Sequence, residues 1–243
     1  MTMKLTVVLP TYNELKNIQI LIPELEGYLN DKKIAAEIII VDDQSPDGTA
    51  QAAEKLNKQY DNIRVIVKEK KEGIGAALRI GYTAARGELI LSMDSDLSFE
   101  ITDIEKFIAK IYEGYDLVVG SRHIKEAGYE KKTFNTRVKW FVSKFGNKIV
   151  RAITGVPIHD FSANFRMIRR SVWNTIETRE NTNSLLLEMI LKTKYKGLKV
   201  TEIPVTFKDR IYGESKLNLK KEAPKFFVKL FYFTIKYRLL KQN

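Results

Sequence analysis

The stretch Leu89-Ile90-Leu91-Ser92-Met93-Asp94-Ser95-Asp96 decides how the rest of the chain is read. An apolar run stops abruptly at two carboxylates spaced i, i+2. If the run is a strand, that spacing sets both side chains on one side of it. Acids at the carboxyl end of a buried strand suit a hard cation, and a hard cation suits a diphosphate. The competing reading is a strand that runs into a turn carrying two solvated acids.

The same punctuation recurs on both sides of this stretch. Residues 6–9, 37–41, 63–67, 88–93 and 117–120 read as short apolar strands. Between them, helical spacing of apolar residues predicts helices over 17–29, after Asp47-Gly48-Thr49, over 73–85 and over 101–112. Asp47 or Thr49 is placed to cap the second of these. Strands alternating with helices argue for an α/β fold, a mostly parallel sheet flanked by helices. Ligands of such sheets sit beyond the carboxyl ends of the strands. That rule gathers Pro10 to Glu14, Asp42-Asp43, Asp94 to Asp96 and Ser121-Arg122 at one rim. Beyond Arg122 the reading gives a polar loop over 125–133, helices over 137–153, 171–176 and 184–195, and strands over 161–168 and 200–207. A basic loop over 208–216 leads into a terminal helix from about residue 220.

Composition removes several classes of chemistry. The 243 residues are 44% hydrophobic and 29% charged, as in a globular protein with a full core. There is no cysteine and only two histidines. Disulfides, thiol nucleophiles and cysteine-ligated metals are therefore absent, which fits a reducing compartment. His123 and His159 have no partners at metal-ligand spacing and read as structural. Residues 1–10 look like a strand rather than a signal peptide, and no uncharged apolar run approaches the ~18 residues of a membrane span. A cytoplasmic protein that does not cross a bilayer is expected.

The formal net charge of +11 is regional. Residues 122–151 carry nine Lys/Arg against two Asp/Glu, and residues 208–241 carry ten against three. Two positive fields imply an anionic partner. In the terminal helix, Lys221, Lys225, Lys229 and Lys236 fall within a stripe of about 80°. Most of the remaining surface is aromatic or aliphatic, including Phe226, Phe227, Leu230, Phe231, Phe233 and Ile235. Such a helix packs on its own domain, on another subunit or on an anionic interface.

A dinucleotide site needs G-x-G-x-x-G between the first strand and helix, and that turn has no glycine. Gly73-Ile74-Gly75 follows the third strand and reads as a tight turn with close helix packing. A Walker phosphate loop is also absent. Asp42 or Asp43 can accept from a base or ribose, and Asp94 and Asp96 can hold Mg²⁺ or Mn²⁺ across a diphosphate. Arg210 and Lys216 are candidates to share that charge, and Arg122 is best placed for a second phosphate. A salt bridge to a neighbouring acid is the alternative for Arg122, and a solvated loop the alternative for the other two.

At this point the sequence resembles the family 2 glycosyltransferases of GT-A fold, and within them the dolichol-phosphate (polyprenyl-phosphate) mannosyltransferase group. Five motifs carry the likeness in order, from about residue 6 to 216. They are Val8-Leu9-Pro10-Thr11-Tyr12-Asn13-Glu14, Ile40-Val41-Asp42-Asp43-Gln44-Ser45-Pro46-Asp47-Gly48-Thr49, Met93-Asp94-Ser95-Asp96-Leu97-Ser98, Gly120-Ser121-Arg122 and Arg210-Ile211-Tyr212-Gly213-Glu214-Ser215-Lys216. The resemblance implies a GT-A-type, Rossmann-like sheet. It implies a donor nucleotide-sugar pocket of Pro10, Tyr12, Glu14, Val41, Asp43, Asp94, Ser95, Asp96, Arg210 and Lys216. Metal would be held by Asp94 and Asp96, with Ser98 where the group often carries glutamine. Arg122, with Arg137 or Lys139, would face the acceptor phosphate. Asp160-Phe161-Ser162-Ala163-Asn164-Phe165-Arg166 resembles the group's Asp-x-Thr/Ser-x-Gly-Phe-Arg segment, with Asn164 in place of glycine. Asparagine tolerates positive φ, so the backbone is expected to survive.

The expected organisation is one domain over 1–216, with a nucleotide-sugar half to 121 and an acceptor half from 122, followed by a membrane-associating helix over 217–243. The expected reaction is inverting transfer of a hexose, mannose first, from a nucleotide sugar to a polyprenyl phosphate. GDP-mannose is the first donor, UDP-glucose the second, and no nucleic-acid partner is expected. A hydroxyl acceptor is the rival within the enzyme class and would need a base at the rim. A non-catalytic module for anionic membrane or nucleic acid is the rival outside it.

Overall fold

The computed structural model describes residues 4–128, 134–210, 212 and 219–239, with main chain only for 134–139, 219–224 and 238–239. Seven strands form one sheet: β1 (Leu5–Thr11), β2 (Ala36–Asp42), β3 (Ile63–Val67), β4 (Leu89–Ser92), β5 (Leu117–Ser121), β6 (Arg166–Arg169) and β7 (Val200–Pro204). Their order is β3-β2-β1-β4-β6-β5-β7. All run one way except β6, which is antiparallel to both β4 and β5.

The helices are α1 (Leu15–Asp31), α2 (Thr49–Tyr60), α3 (Ile74–Ala84), α4 (Ile104–Tyr112), α5 (Phe134–Thr154), α6 (Arg170–Trp173), α7 (Ser184–Tyr195) and α8 (Leu219–Phe233). Strand alternation divides the core between them. Val7, Leu9, Ile38, Ile40 and Leu91 face one side with Ile18, Leu21 and Leu25 of α1 and Ile104 and Phe107 of α4. Val8, Ile90, Val119 and Ile168 face the other with Leu78 of α3, Trp173 of α6 and residues 185–187 of α7.

Two sequence expectations are corrected here. The strand expected over 161–168 begins only at Arg166. The Asp160 carboxylate accepts from the N–H groups of Ser162 and Ala163, a local turn that removes this stretch from the ladder. Asp94 and Asp96 also do not share one side of a strand, because β4 ends at Ser92 and both acids lie in the turn beyond it.

Gly73 and Gly75 serve packing, as expected. Gly73 sits at φ +98°, and a Cβ on Gly75 would lie 2.4 Å from the carbonyl oxygen of Thr182. No L side chain fits there without moving backbone. Gly75→Ala is therefore expected to cost about 2 kcal/mol, read as a shift in the urea midpoint at unchanged slope.

The terminal helix packs one face on its own domain and leaves another face exposed. Leu230, Phe233 and Tyr237 are buried against the domain, and Lys229 pairs with Glu180 at 2.7 Å rather than joining an open stripe. Past Phe233 the helix widens to π geometry over Thr234–Leu239. Phe227, Val228, Phe231, Tyr232 and Ile235 stay exposed, as do Phe141, Val142 and Phe145 on the adjacent α5. Among the described residues, no helix is long and apolar enough to cross a membrane.

Candidate active site

The four expected rim segments lie at the carboxyl ends of β1, β2, β4 and β5. Because β6 runs backwards, residues 160–165 enter this rim as well. The loop after β1 is laced to the loop after β2. Thr11 Oγ1 donates to Asp42 at 2.9 Å, Asn13 N to Ser45 Oγ at 2.8 Å and Glu14 N to Thr49 Oγ1 at 3.0 Å. Asp47 accepts from the N–H groups of both Leu15 and Thr49, so one carboxylate caps the first turns of α1 and α2.

Asp42 and Asp43 separate cleanly. Asp42 also accepts from the N–H and hydroxyl of Ser45 and is 1% exposed, so it ties loops together. Asp43 is gripped by the ammonium of Lys68 at 2.6 Å, with longer N–H contacts from Glu72 and Gly73. Lys68 follows β3 directly. Its place at the end of β3 is the sequence signal that marks it. Tyr12 lies half-buried with Lys71 Nζ 3.3 Å from its ring centroid. Glu14 accepts from Asn17 Nδ2 at 2.6 Å. The Val41 side chain is fully buried with Ile39 and Ala77.

The acid turn is tightly built. Ser95 Oγ donates to the Pro10 carbonyl at 3.1 Å. Leu97 takes a left-handed φ of 62°, unusual for a branched apolar side chain. Asp96 accepts from Ser98 N at 3.1 Å through one oxygen and from Arg210 Nη2 at 3.0 Å through the other. Arg210 is thus no solvated loop residue. Its segment crosses the turn, with Lys208 N donating to the Ser98 carbonyl at 2.8 Å and Lys208 pairing with Glu100. Asp94 accepts from Asn164 Nδ2 at 3.1 Å. Burial, followed by repulsion from Asp96, pushes the Asp94 carboxyl up to about 6, with Asn164, Arg122 and Arg210 opposing.

These groups fit a small divalent cation. Two neighbouring carboxylates whose charges oppose each other gain from a cation between them. Ser98 Oγ, 1% exposed, has no hydrogen-bond partner among the described residues. Among the described residues no cluster of three acids, histidines or cysteines exists, so the remaining ligands would be phosphate oxygens and water. That matches how Mg²⁺ is usually held.

At the end of β5, the salt-bridge alternative for Arg122 is what the structure contains. Its guanidinium forms a two-pronged pair with Asp160, at 2.7 and 3.0 Å, and donates to Ser162 Oγ at 2.9 Å. Asp160 is fully buried. Burial would raise its carboxyl, but the charge and hydrogen bonds of Arg122 hold it at about 2. The pairing spans 38 residues, so no local pattern in the sequence signals it. Beneath it, the fully buried Arg166 donates to the carbonyls of Ala163 and Leu186. Both histidines make contacts within the protein. His123 contacts Ser143 Oγ at 3.0 Å, and burial lowers its ring to about 4. His159 lies between Glu202 and Arg151. Arg137 and Lys139 lie on α5 with side chains outside the described residues, and Lys216 also lies outside them.

A mostly parallel sheet with an acid turn at its centre and a basic segment across it is the GT-A fold. Solved structures of glucosyl-3-phosphoglycerate synthase from Mycobacterium tuberculosis share it. One, with Mn²⁺, uridine diphosphate and phosphoglyceric acid, aligns at TM-score 0.70 and 18% identity over 95% of this chain and 78% of the other. Another, with Mg²⁺ and uridine diphosphate, aligns at 0.69 and 17% over 95% and 79%. The chain belongs to glycosyl transferase family 2, whose model matches residues 6–176. It is 34% identical over 221 residues to a dolichol-phosphate mannosyltransferase of Pyrococcus furiosus, covering 90% of this chain. It spans only 60% of that relative's length. It is also 30% identical over 224 residues to a polyprenol monophosphomannose synthase of Mycolicibacterium smegmatis, covering 89% of this chain and 82% of the other.

Proposed function

We propose that this chain transfers mannose, with inversion, from GDP-mannose to a polyprenyl phosphate at a membrane surface. The observation that carries the reading is the Arg210–Asp96 contact. It draws a cationic strap over an acid turn, an arrangement suited to enclosing a diphosphate. The names of the two curated relatives support the acceptor class. The donor half would be residues 1–121, with Pro10, Tyr12, Glu14, Val41 and Asp43 around the nucleoside and Ser95, Arg210 and Lys216 at the diphosphate. Arg122, with Arg137 or Lys139, would receive the acceptor phosphate in the half from 122 to 216.

An acceptor phosphate oxygen attacks the anomeric carbon as the bond to the diphosphate breaks and its electron pair leaves with the diphosphate. A phosphate monoester is already ionised near neutral pH, so no strong general base is needed. Asp160 fixes the plane of the Arg122 guanidinium, so positioning is built in before substrate arrives. Asp94 and Asp96, aided by Ser98, would hold Mg²⁺ or Mn²⁺, which neutralises charge on the leaving diphosphate when bound.

The test is incubation with Mn²⁺, a short polyprenyl phosphate and a panel of nucleotide sugars. Labelled mannose in the organic extract is expected. Product only in the aqueous phase would favour a hydroxyl acceptor, and no turnover of any donor would favour a binding module. We further propose peripheral attachment at the cytoplasmic face of a membrane through the exposed side chains of α8 and α5. Deleting α8 would strip Leu230 and Phe233 from the core, so surface changes are the cleaner probe. Phe227→Ser with Phe231→Ser is expected to lower flotation with anionic liposomes at least about tenfold at unchanged melting temperature.

A further inference from the structure

Position 164 departs from the resembling group, where glycine stands. The departure has no backbone cause. The left-handed non-glycine residues among those described are Asn13, Lys33, Gln44, Asp61 and Leu97, so Asn164 does not use the positive φ that would explain a glycine. Its side chain is the feature that matters. Asn164 is 2% exposed, and both ends of its amide are engaged. Nδ2 donates to Asp94 at 3.1 Å, and Oδ1 lies 2.9 Å from Ser92 Oγ. Ser92 Oγ also lies 2.8 Å from the Asn164 carbonyl and 2.6 Å from the Tyr82 hydroxyl.

The donor order of this chain is fixed by chemistry. Tyr82 is fully buried and burial pushes its phenol up to about 12, so it keeps its proton and can donate to Ser92. Ser92 has one proton, which is shared between the Asn164 carbonyl and Oδ1. An ionised carboxylate only accepts, so the amide must turn its N–H₂ toward Asp94. One Asp94 oxygen thereby accepts from a neutral donor, which fixes the orientation in which the carboxylate meets a ligand. Asp96 has both oxygens engaged, one by Ser98 N and the other by Arg210, and each keeps a second lone pair for a cation.

Resting on the metal reading above, we infer that Asn164 is a positioning residue that makes Asp94 a one-oxygen ligand and so favours a small octahedral cation over Ca²⁺. Calcium is larger and commonly takes both oxygens of a carboxylate, whereas Mg²⁺ and Mn²⁺ accept one oxygen each from one or two carboxylates plus phosphates and water. Partners that orient metal ligands usually contribute 10–100-fold in affinity.

The test is direct binding of Mn²⁺ by electron paramagnetic resonance, with guanosine or uridine diphosphate present, followed by displacement with Ca²⁺. In Asn164→Ala, the Mn²⁺ dissociation constant is expected to rise about 10–100-fold, and the Ca²⁺/Mn²⁺ preference to move toward Ca²⁺ by about tenfold. Ser92→Ala frees the amide to rotate and is expected to shift both quantities the same way by less. It also serves if Asn164→Ala does not fold. Wild-type affinity and ion preference in the folded variants would overturn the inference while leaving the metal site standing. A wild-type protein that binds no Mn²⁺ with either nucleotide would overturn the metal reading and the inference together.

Discussion

Asp94→Ala is expected to abolish sugar transfer, lowering turnover by at least about a thousandfold, while the fold survives. The activity loss follows from taking away one of the two carboxylates in the acid turn. Survival of the fold follows from the sign of its titration. Asp94 titrates at about 6 when folded, because burial and Asp96 disfavour its charge, and near 4 when unfolded. A carboxyl raised in the folded state weakens stability as pH climbs between those values. At pH 7.5, in metal-free buffer, the variant should melt no lower than the wild type. Added Mn²⁺ with nucleotide should stabilise the wild type and leave the variant unmoved. An active variant, or one that melts far lower without metal, would refute the assignment.

Arg122→Met is expected to cost about 3 kcal/mol at neutral pH and to remove activity, because it leaves Asp160 charged and fully buried. The pH dependence identifies the cause. In the wild type Asp160 sits at about 2, below its unfolded value near 4. Its contribution is therefore complete above pH 4 and lost as pH falls toward 2. Without Arg122, burial dominates and raises Asp160, so the variant regains stability on protonation. The gap between the two proteins, measured by urea denaturation, should be widest at pH 7 and narrow below about pH 4. A gap independent of pH would show that lost packing, not the stranded charge, is responsible. Arg122 Cζ lies 5.3 Å from the Phe207 ring centroid, so some packing loss is present in either case.

The acid turn and Arg210 were legible as chemistry but not as partners. Both lie at positions that a strand-end rule picks out, and both carry charges that a cation or a diphosphate would use. Their contact joins residues 114 positions apart, and no local pattern encodes that. Asn164 was noticed only as an exception to a motif. Its contact with Asp94 depends on β6 running against its neighbours, and a four-residue strand gives no directional signal.

By itself the sequence determined the alternation of strands and helices, the edge at which ligands meet the sheet, and the family motifs along that edge. Those follow from short-range physics, since apolar period and turn chemistry act within a few residues. The tertiary structure alone decided which charges meet. Arg122 is committed to Asp160, Lys68 to Asp43 and Lys229 to Glu180, and Asn164 turns its amide to Asp94. The reason is that a charge or an amide at a rim has several partners within reach of the unfolded chain. Only the closed sheet, with β6 reversed, removes water from one of those pairings and leaves the others apart.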